Sequence, residues 1–429
     1  MYAVNLVRKY EKELINIVEF KGIFDCLFND EFLNNNYFPH SENESGNIVP
    51  LYGKDLRRNE LRELFFHFII YYTYLYLDFS FKEDIFLDVY YLFEYYICTR
   101  WGDKKLLHRV PLLSFEMEGD YLRLVDGVVI RKFANHERFN NDHIFRPKKH
   151  EIFMLELSSF QDLKEDIEFP ISLQEERLEL IIDALLLYKE GVVSYRGVFD
   201  LLPRFDYSSS RLYSGGSYTK FVIPARYSNY ILNQSDMQYF KDFYESYTKL
   251  FAGSNSSIVD TLNIAIKRFS KSIQERELED KIIDLSVAIE CLFSNDTQEL
   301  SHKLSLRICT ILGNNSNERN VIFGFMKEIY NLRSKIVHGG VNYEEGIKMN
   351  QKRLHLRDIY LHFERMTRLC IQRYLNLLMT YTSKECIIML LDKIIIEGHP
   401  SSLQNELSGP FTNHFSKQFV LKDLKCTCK

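Results

Sequence analysis

The sequence predicts a mainly α-helical protein with a mixed α/β region in its N-terminal half. Three observations carry that expectation. Gly (18) and Pro (9) are scarce in 429 residues, which disfavours a turn-rich all-β design. Long stretches repeat apolar residues every three or four positions, the period of a helix that buries one face. Between them lie a few short β-branched runs bounded by turn residues, as strands confined to one part of the chain would be.

Residues 1–110 read as an aromatic-rich helical region, broken by the polar loop "SENESGN" (Ser41–Asn47). The longest uncharged run, "LFFHFIIYYTYLYL" (Leu64–Leu77), falls short of the ~18–20 residues a membrane span needs, so a buried helix and no membrane partner are expected. Residues 111–251 read as mixed α and β. "YLRLVDGVVIRKF" (Tyr121–Phe133) sets Asp126-Gly127 between two apolar runs, a hairpin signal because Asp-Gly tolerates the positive φ of a tight reversal. "EIFMLEL" (Glu151–Leu157) and "YTKFVIPARY" (Tyr218–Tyr227) are further strand candidates. Ser172–Gly191 reads as a helix opened by a Ser172/Glu175 capping box and stopped by Gly191. "AGSNSS" (Ala252–Ser257) is the expected interdomain boundary.

Residues 258–395 read as a bundle of four to five helices. One repeats Leu278, Ile282, Leu285, Ile289 and Leu292 on a single stripe. "LSHKLSLRICTIL" is a shorter second helix, and a third, from about Glu318 to Val337, turns Ile322, Met326, Ile329 and Ile336 to the core. The next repeats Leu356, Ile359, Phe363, Met366, Cys370 and Leu377. Residues 396–429 read as a C-terminal tail whose Cys426 and Cys428 lack a second ligand pair, so no metal is expected.

Eight cysteines without paired spacings in the body of the chain, and no apolar opening segment, lead to the expectation of a reduced cytoplasmic protein. The phosphate-cradling P-loop, HExxH and the dinucleotide glycine fingerprint are missing from the sequence, and no cofactor is expected. Net charge is −5, unevenly spread: Ser301–Arg373 holds 13 Lys/Arg against 6 Asp/Glu, a net of +7, which leaves −12 for the remainder. A basic surplus of this kind attracts a phosphate backbone.

Inside it lies "YNLRSKIVHGG" (Tyr330–Gly340), with Arg333 and His338 five positions apart. The spacing alone is uninformative, since it recurs at Arg62/His67, Arg131/His136, Arg138/His143 and Arg357/His362. Only Arg333/His338 combines an amphipathic helix end, the basic segment and a glycine stop. A plainer reading competes at this position. Cations near a helix C-terminus are favoured by ~0.3–1 kcal/mol, and Gly339 would be an ordinary αL cap.

The succession "LEDKIIDLSVAIECLF", "ELSHKLSLRICTIL" and "IYNLRSKIVHGG" resembles the Apea-like branch of the HEPN superfamily, helical domains of prokaryotic defence and toxin proteins. The similarity covers about Ser257 to Thr380. It implies a HEPN-like bundle acting as a metal-independent endoribonuclease in abortive anti-phage defence, with Arg333 and His338 as its catalytic pair. It also implies a homodimer that pairs two such motifs across a two-fold axis, with RNA, including tRNA or phage transcripts, as substrate. The N-terminal half would then sense a trigger, phage-derived in such systems, or restrain the nuclease. One departure stands out: many catalytic relatives place Asn, Asp or His after the arginine, where this chain has Ser334.

The chemistry agrees with the residue types. Cutting RNA without a metal requires proton transfer from a ribose 2′-OH and charge stabilisation at phosphate, tasks for an imidazole and a guanidinium respectively. On an uninterrupted helix, residues five apart are turned by ~140° and separated by ~7.5 Å along the axis. Either the helix loosens before Gly339 or a second copy completes the site. Glu290, Ser334 and Lys335 are candidate supporting groups, with Glu290 able to orient the pair from a neighbouring helix. Lys303, Arg307, Lys348, Lys352, Arg353 and Arg357 are candidate RNA contacts, read as i,i+4 basic rows, and His355 and His362 are spare imidazoles. Two other functions compete: a non-catalytic RNA- or protein-binding dimerisation module, and a nucleotide-sensing regulator.

Overall fold

Alternating burial marks the strands and a three-to-four-residue burial period marks the helices. In a computed structural model of the chain, the described residues are 40–42, 48–50, 104–125, 127–133, 152–161, 171–195, 197–201, 212–213, 229–252, 257–295, 298–339, 347–349, 352–398 and 403–412. The strands are β1 (His40–Glu42), β2 (Ile48–Pro50), β3 (Lys104–Leu113), β4 (Phe115–Met117), β5 (Tyr121–Arg123), β6 (Val128–Lys132), β7 (Phe153–Gln161), β8 (Ser194–Tyr195), β9 (Phe199–Leu201), β10 (Leu212–Tyr213), β11 (Tyr230–Leu232), β12 (Ile347–Met349) and β13 (Lys352–Leu354). The helices are α1 (Ile171–Tyr188), α2 (Gln234–Ala252), α3 (Ser257–Gln274), α4 (Leu278–Phe293), α5 (Leu300–Leu312), α6 (Ser316–Val337), α7 (Leu356–Leu378), α8 (Lys384–Glu397) and the single turn α9 (Leu403–Glu406). Most of what is described is helical. The predicted strand at Tyr218–Tyr227 and the buried helix at Leu64–Leu77 lie outside the described residues.

Two units divide the chain. The first comprises Met1–Leu113, Asp120–Ile171 and Tyr195–Lys220, and the second Ser114–Gly119, Ser172–Ser194 and Phe221–Lys429. The helical unit therefore does not begin at "AGSNSS"; α1 and α2 belong to it as well. Strands also appear earlier than expected: β1 and β2 pair antiparallel within the region read as helical, and β3 begins at Lys104 rather than at Pro111.

In the first unit an antiparallel sheet runs in the order β10-β9-β3-β7-β6-β5. Its inward positions Val110, Val128, Ile130, Leu155 and Leu157 are fully buried. The Asp-Gly hairpin forms between β5 and β6, with Gly127 at φ 69° and the Leu124 N–H donating to the Val128 carbonyl at 2.8 Å. Arg109 and Arg131 both bond Glu156 at 2.7 Å, and Arg131 is 2% exposed. One of the recurring Arg-x-x-x-x-His arginines is thus a structural ion-pair member.

In the second unit six helices, α3 to α8, occupy residues 257–397, one more than the upper expectation. The predicted stripes form much of its core: Ile282, Leu285, Ile289 and Leu292 are buried, as are Leu356, Ile359, Phe363, Met366, Cys370 and Leu377. Leu278 and Ile336 are only half-buried, while Phe325 and Leu332 join the core in α6. Buried polar side chains close helix ends. Arg368 donates to the Leu186 carbonyl at 2.8 Å and Gln372 to that of Leu187 at 2.6 Å, which caps the C-terminus of α1 from α7. Lys281 does the same for α3, donating to the Ser272 and Ile273 carbonyls at 2.8 and 3.1 Å.

One expected helix end differs. Helix α1 starts at Ile171, which puts Ser172 in its first turn rather than at the N-cap position. Gly191 does follow the helix, at φ 134°, where a Cβ would lie 2.9 Å from the Tyr230 Cα. Residues of the expected tail join the core of the second unit: Leu403, Leu407 and Phe411 are buried, and Phe411 packs edge-on against Phe243 at 5.2 Å. Cys426 and Cys428 lie outside the described residues.

Candidate functional site

The motif helix α6 is well delimited. At its start, the Asn315 side chain accepts from the Glu318 N–H at 3.0 Å, and the Glu318 carboxylate accepts from the Asn314 N–H at 3.0 Å. At its end, Gly339 adopts φ 73° and donates its N–H to the Ile336 carbonyl at 3.1 Å, the αL stop read from the sequence. Nothing interrupts the helix between Ser316 and Val337, so it does not loosen before the glycine.

Arg333 and His338 consequently face different surroundings. Arg333 turns towards α4, where its Nη2 meets the Glu290 carboxylate at 3.4 Å. The two side chains are 30% and 20% exposed. His338 sits at the C-cap, exposed, and its imidazole makes no hydrogen bond or ion pair with a described residue. One chain does not join the two groups. Ser334 and Lys335 are exposed on the same helix.

Tyr330, one turn before Arg333, was not singled out by sequence reasoning because an aromatic at a core-facing position is ordinarily packing. Its ring is buried at 7% exposure and its hydroxyl lies against Glu290 without the geometry of a hydrogen bond. Three buried polar atoms converge here with no hydrogen-bond partner among the described residues: Glu290 Oε1, Arg333 Nε and the Tyr330 hydroxyl. Burial raises the Glu290 carboxyl above the usual carboxylate range, against the lowering influence of the Arg333 guanidinium. Burial, then the neighbouring Glu290 charge, holds the Tyr330 hydroxyl well above the ordinary tyrosine range. Native proteins rarely leave several buried polar atoms unpaired in one place, and functional sites are where they do. The only signal in the sequence was the three-residue interval from Tyr330 to Arg333.

The expected RNA contacts separate. Arg307 is a correction: at 4% exposure it is locked by Asp392, bonded through Nε and Nη2 at 2.8 Å each, and by the Phe293 carbonyl at 2.7 Å. A basic residue at i+4 from Lys303 joins α5 to α8 instead of facing a cleft. Lys348, Lys352 and Arg353 do not form helical rows either. They lie on the β12–β13 hairpin, whose register sets Lys348 opposite Arg353 and Met349 opposite Lys352. Arg357 is exposed in the first turn of α7, His355 is exposed at its N-cap, Lys303 is half-buried, and His362 packs edge-on against Phe325. At the start of α5, facing the middle of α6, an open depression of about 550 Å³ is lined by Glu299, Leu300, Ser301, His302 and Lys327.

Among the described residues no cluster of His, Cys, Asp and Glu is arranged to hold a metal ion, and no helix is long and apolar enough to cross a membrane. Comparison with protein families, characterised proteins and solved structures finds no match to the chain.

Proposed function

We propose that the chain is a metal-independent endoribonuclease of the HEPN type, acting in abortive anti-phage defence, with Arg333 and His338 as its catalytic pair and the N-terminal part in a sensing or restraining role. The observation that carries this proposal is the Glu290–Arg333–Tyr330 cluster, formed between α4 and the helix whose end presents His338. A guanidinium held by one long ion pair is poised to exchange its carboxylate for a phosphate, with which it makes stronger bidentate bonds. An exposed imidazole at the helix end is accessible for proton transfer to and from ribose and leaving-group oxygens. Since one chain holds the two apart, the working unit in this proposal is a homodimer, in which the His338 of one copy approaches the Arg333 of the other.

A second reading has its own support. Gly339 is an ordinary αL cap and Arg333 is ion-paired, so the same residues also suit a non-catalytic module that holds RNA or a partner protein. Expression of the chain beside Arg333→Ala and His338→Ala separates the two. Catalysis predicts growth arrest and fragmented RNA with the wild type and neither with the variants. RNA breakdown at equal rates in all three rules out the catalytic role of the pair, and salt-sensitive RNA binding with intact substrate favours the second reading.

A further inference from the structure

We propose that Tyr330 is a positioning residue for Arg333: its hydroxyl becomes the hydrogen-bond donor to Glu290 when the guanidinium turns to a phosphate of bound RNA. The inference rests on the ribonuclease reading above and names how that site is engaged.

Packing does not explain the hydroxyl of Tyr330. A phenyl ring would fill the Tyr330 position equally well, whereas the hydroxyl is buried beside Glu290, short of hydrogen-bond geometry, and carries a desolvation penalty that this contact offsets only in part. Groups that work against stability while adjoining a charged pair are expected where function sets the residue. The neighbouring carboxylate has the complementary deficit. Glu290 Oε1 is buried and unpaired among the described residues, and Oε2 has only the 3.4 Å contact with Arg333. If Arg333 leaves for a phosphate, Glu290 is stranded as a buried, unpaired charge, which opposes the departure. A phenol that swings onto the carboxylate forms a short charge-assisted O–H···O bond and removes that opposition. Tyr330 and Arg333 sit one turn apart on α6 and both adjoin Glu290 of α4, so the exchange asks only for a short movement of the hydroxyl towards the carboxylate. No covalent bond is made or broken in this exchange.

The test uses the full chain, with a cleavable RNA for kinetics and a 2′-O-methyl RNA, which lacks the attacking hydroxyl, for affinity. For Tyr330→Phe the expected result is a melting temperature equal to or above that of the wild type, because an unpaired buried hydroxyl has been removed. The KM for RNA and the Kd for 2′-O-methyl RNA should both rise about tenfold, with kcat within about twofold, since the lost interaction acts when RNA is engaged. In a Glu290→Gln background, where no carboxylate charge is left stranded, the same substitution should have no further effect. A Tyr330→Phe chain that binds and cleaves like the wild type, or that loses equal affinity with and without Glu290, overturns the positioning role, as does a clear fall in melting temperature. These results are distinct from failure of the underlying reading. That failure would be an Arg333→Ala chain cleaving as fast as the wild type, or a wild type that leaves RNA intact, and the positioning role falls with it.

Discussion

Arg307 and Arg333 are both arginines on adjacent helices of the basic segment, and their surroundings give them opposite uses. Arg307 satisfies most of its N–H groups inside the protein, bridging Asp392 on α8 and the last carbonyl of α4. Arg307→Ala should lower stability by about 2–4 kcal/mol, read as a reduced urea midpoint, because it strands a buried carbonyl and breaks a link between helices. Arg357→Ala, at an exposed position, should leave the midpoint unchanged. Reduced RNA affinity in Arg307→Ala at undiminished stability would show that this arginine reaches solvent after all. Gly191 is a residue whose backbone leaves little freedom. Its φ of 134° is strained for any L side chain, and a Cβ would collide with the Tyr230 backbone. Gly191→Ala should cost about 1–3 kcal/mol in thermal denaturation, and an unchanged transition would contradict the geometry.

At the scale of elements, helix ends closed by buried side chains govern how the second unit responds to pH. Lys281 reaches the last carbonyls of α3, and its Nζ lies 4.9 Å from the Tyr360 ring centroid. Burial pushes its pKa down from 10.5 to about 8. A lysine depressed in the fold binds its proton less tightly there than in the unfolded chain. Its contribution to stability therefore grows as pH rises from about 8 towards 10.5, the window in which the unfolded chain holds more protons. The stability difference between wild type and Lys281→Met, followed by thermal melts, should widen between pH 8 and 10; a constant difference would show that the buried amine keeps its ordinary affinity for protons. The same elements show what was legible in the sequence. The stripes of α4 and α7 and the Asp-Gly hairpin could be read because a repeating apolar period and a turn dipeptide are local signals. Tertiary partners could not be read. The sequence of α5 offers Arg307 and Lys303 as one basic row, and only the approach of Asp392 from 85 residues away separates them. Lys348, Lys352 and Arg353 invited a helical row because i,i+4 spacing is silent about a two-residue reversal between strands. Of the candidate site, Arg333, His338 and Glu290 were visible. Tyr330 was hidden because its ring does what core rings do and only its hydroxyl is out of place.

For the whole molecule, the basic surplus of Ser301–Arg373 is partly used within the fold. Arg333, Arg365 and Arg368 are paired with Glu290, Glu190 and Glu364, Arg307 with Asp392, and Arg373 donates to the Ile311 carbonyl. The positive field left to attract a phosphate backbone is therefore narrower than the sequence charge suggests and includes the exposed Lys327, Lys335 and Arg357. In the proposed homodimer, joining Arg333 to His338 falls to a second copy of the chain. The most direct test of their shared action on one phosphodiester is the chemistry of the RNA ends left by the purified chain in the presence of EDTA. Attack by the 2′-OH predicts 2′,3′-cyclic phosphate or 3′-phosphate ends with matching 5′-hydroxyls, all lost in Arg333→Ala and His338→Ala. Intact RNA, 5′-phosphate ends, or the same products from both variants would contradict it.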